Sequence, residues 1–383
     1  MKSYFALLLD VQSASIGASI VHFDGGEKPR IFYTIRKDFG SHGSHSFESH
    51  MTEMKKCLSG VVKEIHSHTS IKPVEAIISI GSPWHISQTR TAVMRRATPF
   101  LIKKELLHSF KQKEERKCVD EHKEIFGKKA SKVVLLESKI ANVMVDGYGP
   151  IDPIGKKARS FSLTLYMSVC PIQVTEAIED VVASVIHIKK CTFTTFQFMS
   201  FSALRDLSAS KRDFLVIDIS GEITDITLVR NDVILESISI PLGSLFFKNR
   251  IKKHFNWTNS EYHSRLRMSG AGKLHEFSHR ELEEYIGFLV NEWGVYIRRA
   301  VHELGGKRMV PEMVYMIGPE VIVHYAKRLL EGGEFQHFTE TQNPLRVTLV
   351  HHSLLYELCS IQNSQAFDPS LVILGHFANR ILK

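Results

Sequence analysis

Two aspartates, Asp10 and Asp218, each interrupt an apolar run, and each is followed by a polar turn and a second apolar segment. The later copy reads Phe214-Leu215-Val216-Ile217-Asp218-Ile219, then Ser220-Gly221-Glu222, then alternating apolar and polar residues from Ile223 to Val229. The earlier copy reads Leu7-Leu8-Leu9-Asp10-Val11-Gln12-Ser13-Ala14-Ser15-Ile16-Gly17 and runs on to Ile20 and Val21. Aligning the aspartates places Val11 on Ile219, Ile20 on Leu228 and Val21 on Val229. Each copy is the pattern of strand, tight turn, strand. The chemistry this suits is phosphate binding. Backbone N–H groups of a tight turn make a concave donor site for an anion, small residues let a phosphate approach, and a carboxylate at the strand end can hold Mg²⁺ directly or through water. A single hairpin of this kind reads as an ordinary turn containing Asp. Two of them, facing each other from the two halves of a chain, could clasp the phosphates of a nucleotide.

The intervening pattern supplies two lobes to carry these hairpins. Phe5–Asp10, Ala18–Phe23 and Arg30–Ile35 form a meander, with Asp24-Gly25-Gly26 as the second turn. Gly40-Ser41-His42-Gly43-Ser44-His45 is loop-like, and Met51, Met54, Leu58, Val61, Val62 and Ile65 give helical spacing from Phe47 to His66. Residues 74–170 are expected to form an insert within the first lobe. It has strand material at Ala76–Ile80 and Trp84–Thr91, and an amphipathic helix opened by Pro99 that runs through Phe110. A charged stretch, Lys111–Lys132, precedes strands Val133–Val145, broken near Lys139, and Phe161–Ser168. A helix at Val174–Ile186, a strand at Cys191–Phe198 and a helix at Ser200–Leu207 lead to the second lobe. There the Asp218 hairpin is followed by Val233–Ile240, the turn Pro241-Leu242-Gly243, a long helix at Glu281–Glu303, the strand Met313–Ile317, Gly318-Pro319-Glu320 and a helix to Leu330. The expected division is 1–73 and 171–208 for the first lobe, 74–170 for the insert, and 209–383 for the second lobe.

Composition narrows the setting. The 383 residues suffice for more than one domain, and 43% hydrophobic with 23% charged content is ordinary for a soluble globular protein. No apolar run approaches the ~20 residues of a membrane helix, and no signal-peptide pattern opens the chain. Five scattered cysteines without a C-x-x-C pair point to a reducing cytoplasm. A net charge of +8 permits nucleic acid or anionic lipid as a partner. Yet Arg95-Arg96, Lys103-Lys104 and Lys248–His254 lack the aromatic interleaving of an RNA-binding sheet, so a solvated basic surface and no nucleic-acid partner are expected. The twenty histidines, with clusters at His42/His45/His50, His66/His68 and His351/His352, follow no metal-ligand spacing and are expected on the surface. No Walker loop, G-x-S-x-G elbow or G-x-G-x-x-G turn is present.

The paired hairpins resemble the phosphate loops of the FtsA/PilM family of bacterial actin-like ATPases, which usually read D-I-G-T/S-x and D-I-G-G-G-T-T-D. Here Asp10-Val11-Gln12-Ser13 and Asp218-Ile219-Ser220-Gly221-Glu222-Ile223-Thr224-Asp225 keep the aspartates and replace several glycines. Gly81-Ser82-Pro83-Trp84-His85-Ile86-Ser87 and the turn phrase from Asp146 to Gly155 resemble FtsA, and Asp368-Pro369-Ser370 through Gly375 resembles the family's closing phrase. The resemblance implies an α/β, two-lobed actin-like ATPase fold (a duplicated ribonuclease H-like unit) with a strand–helix–strand–strand insert in the first lobe.

The same resemblance implies ATP and Mg²⁺ as cofactors. Asp10 and Asp218 would hold the metal and its water and so be catalytic. Gln12, Ser13, Ser15, Ser220, Gly221 and Glu222 would surround the phosphates, with Gly243, Gly318 and Pro319 near the nucleoside. His263 and Leu266, or Arg265 and Arg267, occupy the region of the family's ribose-binding Glu and Lys. A carboxylate at Glu222 would repel phosphates and argues against efficient hydrolysis. A weak ATPase or a pseudo-ATPase is therefore expected. The implied function is a cytoplasmic scaffold that associates with itself and with a division-filament or pilus-platform protein, reaching the membrane only through a partner. The insert phrases lean the balance toward FtsA, whereas the missing membrane-binding tail after Gly375 favours PilM. A small-molecule kinase of the same superfold is the alternative, although no substrate-binding acid or base motif faces the phosphate loops.

Overall fold

The computed structural model describes residues 3–25, 27–39, 46–126, 132–149, 152–208, 212–306, 309–362 and 367–381. The expected loop Gly40–His45, Gly26 of the second turn, and Pro150 and Ile151 of the insert's turn phrase lie outside the described residues.

Apolar runs buried on both faces become the central strands of two sheets, and this is where the duplication expresses itself. In the first sheet β1 (Tyr4–Val11), β2 (Ser15–Phe23) and β3 (Arg30–Asp38) form an antiparallel meander, and β4 (Glu75–Ile80) lies parallel to β1. Three strands between them, β5 (Ile86–Leu101), β6 (Val133–Val145) and β7 (Lys157–Pro171), make a separate sheet in the order β5-β7-β6. With β8 (Cys191–Thr195) parallel to β4, the first sheet reads β3-β2-β1-β4-β8. The second repeats that plan. Its meander is β9 (Phe214–Ile219), β10 (Thr224–Arg230) and β11 (Val233–Ile240), and β12 (Met313–Ile317) and β13 (Arg346–Leu349) follow in parallel. A short β14 (Ser360–Ile361) returns to the edge of β3.

The crossover helices cover the outer faces. Phe47–Ser67 lays Met54, Leu58, Val61, Val62 and Ile65 on the first sheet, and Glu276–Gly305 lays Leu282, Ile286, Leu289, Trp293 and Ile297 on the second. Between the sheets, the helices Phe196–Leu207 and Pro369–Ile381 share one apolar cluster with Ala6 and Leu8 of β1 and Phe214 and Val216 of β9. The lobes are thus joined by a common core beneath the two hairpins.

Several expected boundaries move. Glu75–Ile80, inside the range expected for the insert although its apolar run also suits the first lobe's opening pattern, is a fully buried strand of the first sheet, paired with both β1 and β8. The last helix and β14, placed with the second lobe, pack on the first sheet: Leu371 lies beside Gly17 of β2, Gly375 beside Leu8 of β1, and β14 pairs with β3. Pro99 does not open a helix. It lies within β5, where the register with β7 breaks between Arg95 and Phe100, a position at which a residue without an N–H costs no ladder bond. The insert helix is Lys104–Ile125. β6 is continuous through Lys139 and carries two register shifts, Leu135/Glu137 and Ile140/Asn142. Trp84 lies outside any strand, its indole N–H donating to the Gln12 carbonyl at 3.0 Å.

Glu137, at the first of those shifts, fastens the insert to the first lobe. Its buried carboxylate accepts hydrogen bonds from the Thr194 and Thr195 hydroxyls, from the Thr195 N–H (3.1 Å) and from Ser168 Oγ (3.2 Å). Burial pushes this carboxyl above its ordinary range, and the four donors oppose the rise.

Candidate functional site

The two hairpins meet at the mouth of a cleft of about 390 Å³ between the lobes. In the first, Asp10 pairs with Gly17 across the strands and Gln12 N–H closes the turn on the Ser15 carbonyl at 3.0 Å. In the second, Asp218 pairs with Asp225, and Ser220 N–H donates to the Ile223 carbonyl at 3.1 Å. Of the residues expected at the ligand, Gln12, Ser15, Asp218, Ser220, Gly221, Gly318 and Pro319 line the cleft. Asp10, Ser13, Glu222 and Gly243 are absent from its lining, and each is engaged by the protein itself.

Asp10 is fully buried, and both of its oxygens are occupied. Oδ1 accepts from Gln12 Nε2 at 2.9 Å and Oδ2 from Arg36 Nη2 at 2.7 Å. The Arg36 guanidinium also makes a bidentate contact with Asp368, at 2.6 and 3.1 Å, and donates from Nη1 to Ser15 Oγ at 2.9 Å. The register explains how it gets there. Asp10, Gly17 and Arg36 form one row across β1, β2 and β3, and a Cβ on Gly17 would lie 2.6 Å from Arg36 Nη2. Likewise a Cβ on Gly81 would lie 1.9 Å from Gln12 Oε1. Two glycines therefore make room for the two side chains that hold Asp10. Burial lifts the Asp10 carboxyl above its usual range, and Arg36 opposes that lift.

The matching row of the second lobe, Asp218–Asp225–Ser239, has no base in it. Ser239 Oγ donates to Asp225 at 2.5 Å. Burial, with Asp225 and Asp10 nearby, pushes the Asp218 carboxyl well above the ordinary range. A carboxyl whose folded-state pKa exceeds its unfolded value, about 3.9, contributes stability that is complete below that value and is lost as pH rises through the folded one. Asp218→Asn should therefore melt at a higher temperature than the parent at pH 7, with the advantage disappearing below about pH 4. Thermal melts from pH 3 to 8 check this; an advantage that grew toward acid would contradict it.

The turn tips touch. Glu222 N–H donates to Ser13 Oγ at 2.9 Å, and a Cβ on Gly221 would lie 2.4 Å from Ala14 Cβ. Gly243 packs against the second turn, where a Cβ would meet the Gly221 carbonyl at 2.4 Å. The helix Ser244–Phe255 begins there with its first amides committed, Ser244 N–H to the Ser220 carbonyl (2.6 Å) and Leu245 N–H to that of Gly221 (2.9 Å). Across the cleft, Lys248 Nζ lies 2.9 Å from Asp38 Oδ2. Burial and then Lys248 draw the nearby His263 imidazole below its ordinary pKa.

These residues do not fit Mg²⁺ on Asp10. The ion needs oxygens at about 2.0–2.1 Å in octahedral array, and both Asp10 oxygens already accept hydrogen bonds from a guanidinium and an amide. Among the described residues, no group of three or more His, Cys, Asp and Glu side chains is arranged to hold a metal.

Arg36, Lys248 and Tyr262 escaped the site prediction although all three line the cleft. His50, expected on the surface with its cluster, is buried with its ring 4.5 Å from that of Trp84.

No protein-family profile matches the chain, and no curated protein matches it. Solved structures do. A chain of the PilM–PilN type IV pilus biogenesis complex superposes over 99% of this chain and 98% of its own, with a TM-score of 0.66 at 15% identity. This chain has the two-lobed actin-like ATPase fold. Ethanolamine utilization protein EutJ from Carboxydothermus hydrogenoformans covers 97% of this chain and 89% of its own at 12% identity and a TM-score of 0.48. A Bacteroides thetaiotaomicron protein with actin-like ATPase fold covers 97% and 95% at 8% identity and a TM-score of 0.41. Among the described residues, no helix is long and apolar enough to cross a membrane.

Proposed function

We propose that this chain is an actin-fold assembly scaffold of the PilM kind, which docks an extended segment of a membrane-associated partner on its insert and works as a platform component rather than as an ATPase. The observation that carries the reading is the groove of about 530 Å³ between the insert helix Lys104–Ile125 and β6. Gln112, Glu115, Arg116, Val119 and Lys123 of the helix and Leu135 of β6 line it. β6 is an edge strand, paired with β7 alone among the described residues, and Lys139 and Ile140 on it are exposed. An extended peptide can add to such an edge by main-chain hydrogen bonds while its side chains enter the adjoining groove. The full-length match to a chain of the PilM–PilN complex supports the pilus-platform reading. The neutralised Asp10 supports a structural role for the cleft.

Gln112→Trp with Arg116→Trp fills the groove from two exposed helix positions at little cost to folding. In its native cells the parent is expected in the membrane fraction, and the double variant, equally folded, is expected to be at least about tenfold depleted there, the loss of roughly 1.4 kcal/mol of binding. Equal membrane recovery of the two would overturn the reading.

A further inference from the structure

We infer that Arg36 is the resident cation of the site between Asp10 and Asp368: its guanidinium stands there in the place of a divalent metal, so that the first hairpin is tied to the closing helix without one. The site is built for it throughout. Every guanidinium nitrogen of Arg36 has a partner, and the partners come from three elements: Asp10 at the end of β1, Ser15 at the start of β2, and Asp368 ahead of the last helix. Gly17 opens the space the guanidinium enters. Asp368 is itself held, its Oδ1 accepting the Leu371 N–H at 3.2 Å as the cap of the helix Pro369–Ile381, with Pro369 as its first residue.

A cation site at this point would have to bridge carboxylates of the first hairpin and the closing helix. A planar group with five donors does so bidentately, and its charge is permanent. A divalent ion could enter only by displacing it. The lobes themselves meet through the direct contacts of Ser13 with Glu222 and of Asp38 with Lys248. The assignment is independent of where a partner docks, and its test reads metal rather than partner.

Mn²⁺, visible by electron paramagnetic resonance, serves as the probe. The parent protein is expected to bind no Mn²⁺ that Asp10→Asn removes, and its melting temperature should be the same in EDTA as in millimolar Mg²⁺. Arg36→Met keeps the length of the side chain and drops its charge. This variant is expected to gain a Mn²⁺ site and a melting temperature that rises with Mg²⁺, both abolished by adding Asp10→Asn. A folded Arg36→Met variant without such a site would overturn the assignment, as would Mn²⁺ binding by the parent that depends on Asp10. Should Arg36→Met fail to fold, the parent titration alone decides between these outcomes.

Discussion

Arg36→Ala is expected to destabilise the folded chain by about 3 kcal/mol, measured by urea unfolding at pH 7. Removing one partner of a buried ion pair leaves the other charge without compensation, which usually costs about 3–5 kcal/mol. The low end applies because the Arg36 side chain is 27% exposed and water can partly replace it. Asp10 gains nothing from that water, since its side chain is 0% exposed. The loss should therefore be coupled to Asp10. In Arg36→Ala/Asp10→Asn the more deeply buried of the two carboxylates left without compensation is gone, Asp368 remaining, and the double variant should be more stable than the sum of the two single losses implies. A loss below about 1 kcal/mol for Arg36→Ala, with strict additivity, would show an ordinary surface pair instead.

Trp293→Ala should cost about 3–5 kcal/mol, the range for deleting a buried aromatic. Trp293 is fully buried on the long helix behind the second hairpin. Its Nε1–H donates to Thr224 Oγ1 at 3.1 Å, and that hydroxyl donates to the Leu242 carbonyl at 2.6 Å. One indole thus fixes both the first residue of β10 and the turn that delivers Gly243 against the hairpin. Trp293→Phe keeps most of the buried ring volume and removes the donor with the smaller ring, so about 1–2 kcal/mol is expected. The ratio of the two urea-derived losses separates packing from positioning. Similar losses for Phe and Ala would mean that the hydrogen bond, and not the ring, carries the effect.

Much of the architecture was legible because it repeats. The apolar runs ending at Asp10 and Asp218 became the equivalent strands β1 and β9, and Val233–Ile240 and Met313–Ile317 stand where the alternation and the apolar run put them. Arg36 was not legible, and the reason is local. Apolar alternation stops at Ile35, and Arg36-Lys37-Asp38 reads as the polar start of a loop. β3 nevertheless continues to Asp38, because Gly17 opposite Arg36 lets the charged end reach Asp10. Carrying the hairpin register one strand outward from Asp10 would have found it. Gly243 was recognisable as a turn glycine, but its partner, the carbonyl of Gly221, is distant in sequence and no spacing rule connects them. Pro99 misled because proline suits both the first turn of a helix and a broken strand register; only the pairing of β5 with β7 distinguishes these. The last helix was assigned to the wrong lobe for a similar reason, since apolar residues show that a face is buried and not against what.

The two hairpins are locked to each other by the protein's own contacts at the turn tips. The Glu222 amide reports on this most directly, because it donates to Ser13 Oγ across the lobes. Hydrogen exchange of that amide should be measured in EDTA and then with Mg·ATP. The account predicts protection in EDTA that Mg·ATP leaves unchanged. Exchange at the unprotected rate in EDTA, with protection appearing only when Mg·ATP is added, would contradict it and restore the cleft as a nucleotide clasp.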